Sequence, residues 1–215
     1  MSPNYFLIVS HEWKRVLLMG ILAALLAALL SFLRPLEYSS TIRLLVIQRS
    51  ALGLDPYTAI RSAERVSENL ANIVYTTSFF EKVMASGFSI DQNVFSSQET
   101  KRRNQWRRMV DTQVARGTGL LTISVYHRDR EQAKQIASAI GAVLQLEGWT
   151  YVGGGDLQIR IVDTPLSSRY PVRPNIPLNA FTGLILGIIG GVGYVIWLMR
   201  HGRLPEGRGF LHELN

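Results

Sequence analysis

The densest group of chemically capable side chains is Lys101-Arg102-Arg103 with Arg107-Arg108, set around Trp106. On a helix, residues three or four apart share a face. Arg103 and Arg107 therefore lie together, as do Lys101 and Arg108 two turns apart. Such a face could hold an anionic glycan or a lipid headgroup, with Trp106 stacked on a sugar ring. The alternative is a solvated surface, or a patch meeting acidic residues of a neighbouring subunit. The remaining candidates carry less. His11, His127, His201 and His212 are scattered and include no His-x-x-x-His pair, so no metal site is expected. The one Gly-rich loop, Gly153-Gly154-Gly155, has no following lysine and precedes strand-like sequence, so it reads as a turn and not a phosphate cradle. There is no Gly-x-Ser-x-Gly elbow, and no two carboxylates stand out as an acid/base couple. The expectation is a protein that is not an enzyme, with no catalytic residues, cofactor or metal.

The segment holding the basic run reads as mixed α and β. Residues 38–48 are strand-like, with Thr41, Ile42, Leu44, Val46 and Ile47. Asp55-Pro56 provides an N-cap and a first helical residue for a helix running to about Tyr75. Its apolar stripe is Ile60, Val66, Leu70, Ile73 and Val74. Ser78 is the expected cap of a short helix over 79–86, ended by Gly87. The polar stretch 98–115 reads as one helix, ended by Gly117 and Gly119. Residues 120–127 alternate apolar and polar, the pattern of a strand buried on one face. Asp129 should cap a helix over 130–149 with Ala133, Ile136, Ala137, Ile140, Val143 and Leu144 on its packed face. Residues 157–162 alternate again. The expected fold is α+β: a short β-sheet covered on one face by helices.

Two apolar stretches, 16–33 and 178–199, flank this segment, and neither contains a charged residue. At 1.5 Å per residue they reach about 27 and 33 Å, against a hydrocarbon core of about 30 Å. Phe32-Leu33-Arg34-Pro35 is not a small-residue cleavage site, so the first stretch is expected to be retained and not removed as a signal peptide. Lys14 and Arg15 precede the first stretch; Arg200, Arg203 and Arg208 follow the second. The positive-inside rule then puts both termini in the cytoplasm. The expected organisation is a cytoplasmic N-terminus (1–15), a first transmembrane helix (16–33), an extracytoplasmic domain (34–175), a proline-led second helix (176–199) and a cytoplasmic tail (200–215). Residues 1–15 could include an interfacial helix built on Tyr5, Phe6, Ile8, Val9 and Trp13. The net charge of +7 would suit nucleic acid, but this topology puts most of the positive charge outside the cytoplasm. Anionic lipids or acidic glycans are the better partners.

Two motifs bear on how these parts join. Pro171, Pro174 and Pro177 recur every three residues, the period of polyproline II, and would form a stiff connector. Gly183, Gly187 and Gly191 are spaced by four, with Gly190 and Gly193 nearby, and let helix backbones approach closely. Gly20, Ala24 and Ala28 are the expected counterpart on the first stretch. The spacing leaves open whether the packing is within one chain or between chains.

Taken together, several stretches resemble the polysaccharide co-polymerase family, the Wzz-like chain-length determinants. They are Tyr38-Ser39-Ser40-Thr41 with Leu44-Leu45-Val46, residues 70–79, residues 121–125 with Asp129 and 133–136, and Ile161-Val162-Asp163-Thr164-Pro165 with the three prolines and Gly187. The resemblance implies a non-enzymatic, homo-oligomeric protein of the bacterial inner membrane. It would act with a polymerase on lipid-linked glycan repeats and influence the length of O-antigen, capsule or exopolysaccharide. The outer segment is short for this family. The expected tail has no tyrosine and no room for a kinase, which resembles the small adaptor members that associate with a separate cytoplasmic tyrosine kinase. Leu204, Phe210, Leu211 and Leu214 are candidates for that contact. A sensor or receptor subunit and a channel-forming protein are the competing readings.

Overall fold

The computed structural model describes residues 12–48, 56–152 and 157–201. Several sequence expectations lie outside the described residues: Tyr5, Phe6, Ile8 and Val9 of the interfacial helix, the Asp55 cap, the turn at Gly153-Gly154-Gly155, His11, His212 and the apolar tail residues. The described chain forms two compact units. One contains the two apolar segments; the other spans Leu36–Arg173.

In the first unit, α1 (Trp13–Ser31) and the last helix, Ile176–Arg200, are both long and apolar enough to cross a membrane. α1 starts three residues earlier than residue 16, taking Lys14 and Arg15 into its first turn. The two helices pack against each other. Leu17, Leu18, Leu22, Leu25, Leu26 and Leu29 of α1 remain exposed, as do Phe181, Leu186 and Ile189 of the last helix.

In the second unit, a four-stranded antiparallel sheet has the order β2-β3-β1-β4. β1 is Tyr38–Gln48 and is followed by α2 (Pro56–Ile73) and α3 (Thr77–Met84). Then come α4 (Glu99–Met109), β2 (Val110–Val114), β3 (Leu120–His127), α5 (Arg130–Glu147) and β4 (Leu157–Ser167). The closing helix Ile176–Arg200 is α6. β1 pairs with β3 from Tyr38↔His127 to Leu45↔Leu120, and with β4 on its other side. Alternation gives the sheet its inner face. Ile42, Leu44 and Val46 of β1 are buried, as are Leu121, Ile123 and Val125 of β3, Val110 of β2 and Ile159 of β4. The outer face is mixed: Thr41 bonds Ser124 at 2.9 Å and Arg43 meets Asp163 at 3.1 Å, while Leu166, opposite Thr41, is exposed.

The helices lie on the inner face. α5 presents Ala133, Ile136, Ala137, Ala139, Ile140, Val143 and Leu144, all buried. Its Gly141 sits so close to the sheet that a Cβ there would fall 2.3 Å from Ile42 Cδ1. Asp129 caps α5 as expected, accepting from the Glu131 N–H at 2.7 Å. The expected stripe of α2 packs inward at Val66, Leu70 and Ile73, with Val74 just beyond its end, but Ile60 is exposed and Ala63, Ser67 and Ala71 complete the buried face. Small residues are required there because α2 crosses the β2–β3 turn at Gly119. The Ser67 hydroxyl donates toward the Ala63 carbonyl (2.8 Å) and the Gly119 carbonyl (3.1 Å).

Three further expectations are corrected. The stretch 98–115 is not one helix. α4 ends at Met109, and Val110-Asp111-Thr112-Gln113-Val114 pairs with β3 from Val110↔Val125 to Val114↔Leu121. Its β-branched residues, Val110, Thr112 and Val114, fit the pleat better than a helix. The cap of α3 is Thr76 rather than Ser78, with its hydroxyl 3.3 Å from the Phe79 N–H. The last strand runs on to Ser167 because β1 offers partners as far as Ser40.

Two measurements test this packing. A Cβ at Gly119 would lie 2.2 Å from the Val46 carbonyl oxygen, whereas Gly117 (φ +68°) has open space. Gly119→Ala should cost about 2–4 kcal/mol in denaturation monitored by near-UV circular dichroism. Gly117→Ala should cost only the left-handed penalty of about 1–2 kcal/mol. Equal losses would contradict the close approach. The second concerns Lys82, which joins α3 to α5 through Glu147. The hydrogen bond to Glu147 raises the Lys82 ammonium above the ordinary 10.5, burial opposes this more weakly, and Tyr151 adds to the rise. A raised folded value means the pair's stabilisation is complete below the unfolded pKa and is lost as pH climbs through the folded one. Denaturation profiles of wild type and Lys82→Met should therefore run parallel from neutral pH to about pH 10 and converge above it.

Candidate functional site

α4 carries the basic run, and the structure assigns its members different roles. Glu99, in the first turn of α4, meets Arg103 one turn later at 3.0 Å. The Arg103 guanidinium also donates to the Thr77 hydroxyl at 2.8 and 3.2 Å. Arg107 lies over the Tyr75 ring at 6.0 Å. Arg103 and Arg107 share a face, as their spacing requires, but that face is turned to the unit's own α2–α3 corner. The space enclosed beneath it by Tyr75, Thr77, Arg103 and Trp106 is only about 10 Å³, no more than one water needs. Lys101 and the side chain of Arg108 are exposed, with no partner among the described residues. The Arg108 carbonyl accepts from Arg173 at 3.0 Å.

Trp106 cannot stack on a sugar. It is 1% exposed and is the largest side chain of the core. Its indole N–H donates to the Val74 carbonyl at 2.7 Å, just past the end of α2. Phe80 meets it edge-on at 5.2 Å, and Phe95 lies at 6.3 Å. Aromatic pairs of this kind contribute about 0.5–1.5 kcal/mol each beyond buried area. Trp106 therefore anchors α4, and the basic side chains stand around that anchor.

The concave surface lies on the Arg102 side. A cleft of about 370 Å³ is lined by Phe80, Met84, Ala85 and Phe95, with Glu81, Gln92, Ser96, Ser97 and Arg102. Its volume falls in the lower part of the range for small-ligand sites. Arg102 lies over the Phe80 ring at 5.4 Å and reaches Glu81 only at 3.8 Å. The loop forming the far wall is held by amide side chains. Gln105 of α4 accepts from the Ser96 N–H at 2.8 Å, and Gln132 of α5 accepts from the Asp91 N–H at 2.9 Å while donating to the Ser89 carbonyl at 3.2 Å. Gln92 donates back to the Met84 carbonyl at 3.2 Å. The sequence reading missed Phe80, Glu81, Gln92, Phe95 and Ser97. The signal present, an aromatic followed by two serines between helices, is too weak to mark a wall.

The histidines are local. His127 Nδ1 accepts from the Asp129 N–H at 3.0 Å, beside the α5 cap. His201 Nδ1 lies 2.9 Å from the Trp197 carbonyl. Among the described residues no three metal-ligating side chains converge.

The connecting motifs resolve differently from each other. Pro171, Pro174 and Pro177 do not form a continuous polyproline II rod. Glu37 and Arg173 exchange backbone bonds (2.9 and 3.3 Å), and the Ile176 N–H bonds the Pro174 carbonyl at 3.0 Å. Polyproline II has no such internal bonds. Pro177 is the second residue of α6, not the first, and Asn175 caps the helix by accepting from the Leu178 N–H at 3.1 Å. Gly183, Gly187 and Gly191 pack α6 on α1 of the same chain. Their Cβ positions meet Ala27 at 2.7 Å, Ala23 at 2.6 Å and Val16 Cα at 3.1 Å. The facing residues are thus Val16, Ala23 and Ala27 beside Gly20, one position off from Ala24 and Ala28. Gly190 and Gly193 face away. Asn179 ties the helices by donating to the Ser31 hydroxyl at 2.8 Å.

Comparison with protein families and with curated proteins yields no match to this chain.

The helix contact is testable in detergent. Gly187→Leu inserts a side chain into backbone, and overpacking of about 1–3 kcal/mol should lower the melting temperature by several degrees. Gly190→Leu, in open space, should leave it unchanged. The reverse order would place the contact on the other face.

Proposed function

We propose that this chain is a non-enzymatic membrane protein that regulates the polymerisation or export of a bacterial surface polysaccharide. In this reading α1 and α6 cross the inner membrane, both termini are cytoplasmic, and Leu36–Arg173 is extracytoplasmic. The chain works as a homo-oligomeric scaffold beside a polymerase and its lipid-linked glycan. The observation that carries the reading is the placement of the first and last strands. β1 and β4 are antiparallel neighbours, Ser40 opposite Ser167, and Glu37 pairs with Arg173 beyond them. A domain so closed has its two chain ends side by side, as a domain inserted between two membrane helices must. The resemblance to the co-polymerase family, carried by residues 38–41 and 44–46, 70–79, 121–125 with Asp129 and 133–136, and 161–165 with Pro171, Pro174, Pro177 and Gly187, supplies the glycan.

Deletion from its host tests the reading. The length distribution of the surface polysaccharide, resolved on a gel, should lose its modal cluster and regain it on complementation. An unchanged ladder with an unchanged amount of polymer would refute it.

A further inference from the structure

We infer, resting on the glycan reading above, that the cleft between α3, α4 and the 85–98 loop binds an acidic sugar residue, with the Arg102 guanidinium taking its carboxylate. Three observations converge on that chemistry. The first is an underused cation. Arg102 has five N–H donors in a planar fork suited to a carboxylate, yet its one ion pair among the described residues is at 3.8 Å. Its stacking on Phe80 holds the fork at the rim without consuming those donors.

The second is the division of the cleft wall. Met84 and Phe95, both partly exposed, supply apolar surface for the C–H face of a pyranose ring, while Phe80 is buried and carries Arg102. Glu81, Gln92, Ser96 and Ser97 also line the cleft and offer partners for hydroxyls. Among the described residues Glu81 is the only carboxylate lining the cleft. Arg102 is the one cation among the described lining residues, and Glu81 stays 3.8 Å from it. Glu99 is engaged by Arg103, and Lys82 by Glu147.

The third is preorganisation. The loop has little regular structure, yet Gln105 and Gln132 hold its backbone at Ser96, Asp91 and Ser89, and its own Gln92 ties it to the Met84 carbonyl of α3. A wall held this way costs little further ordering when a ligand binds.

Isothermal titration calorimetry of the detergent-solubilised full chain tests the site with three probes: a hexamer of galacturonic acid, a neutral maltohexaose and a hexaglutamate peptide. The uronate should bind, with maltohexaose and the peptide each at least about tenfold weaker. Arg102→Gln should weaken uronate binding about tenfold, and Arg102→Lys by less, because a point charge replaces a fork. Ser97→Trp fills the cleft from an exposed position and should abolish binding with the melting temperature retained. Arg116→Gln, on the β2–β3 turn, should bind within about twofold of wild type. Four outcomes would overturn the inference: no uronate binding, equal binding of the neutral sugar or the peptide, no effect of the Arg102 or Ser97 variants, or an Arg116 effect as large as that of Arg102. Each leaves the glycan-length experiment standing as a separate readout, so the site and the broader function can fail independently.

Discussion

The second unit depends on β1 occupying the middle of its sheet. β1 is the first strand of the unit, yet it pairs with β3 on one side and β4 on the other. Its Ile42, Leu44 and Val46 are almost wholly buried and form the centre of the core. Both pairings are distant in sequence, so loop closure must precede the stabilisation they provide. Once formed, they bring the start and end of the unit together.

Close approach is the second constraint, and glycine meets it at the points where backbone or side chains would otherwise collide. Gly119 lies under α2 against the Val46 carbonyl, Gly141 lets α5 descend onto Ile42, and Gly148 leaves room for Ile159. The two apolar helices use the same device on a longer contact, with Gly183, Gly187 and Gly191 against Ala27, Ala23 and Val16. In an apolar solvent such packing relies on dispersion and shape, because burial of apolar surface supplies no net drive there. The Asn179–Ser31 bond adds a polar tie at one end of the pair.

The cleft arises from the anchoring of α4. Trp106 fills the core beneath the helix, and Phe80 and Phe95 stack against it at right or oblique angles. Those two phenylalanines then form both part of the core and the wall of the cleft. Arg102, one turn before Trp106, is left at the rim with a weak ion pair, while Arg103 and Arg107 are held against the α2–α3 corner. Exposed ion pairs contribute about 0–1 kcal/mol, so this basic face adds little to stability.

The sequence by itself determined what local periodicity can encode. The two apolar helices, the strands beginning at Tyr38, Leu120 and Leu157, the Asp129 cap and the packed face of α5 all follow from side-chain spacing and type. The basic run was legible as a cluster, but not the direction each member faces. Only the tertiary structure decided that Val110–Val114 leaves the helix, since its partner is β3 and no local pattern outweighed the polar run before it. It also decided that Trp106 is core and not ligand contact, and that the proline spacing yields a bent, clamped connector in place of a rod. It built the cleft from α3, α4 and a loop without period. Each of these depends on which distant residues supply hydrogen bonds and packing surface, and spacing along the chain does not carry that information.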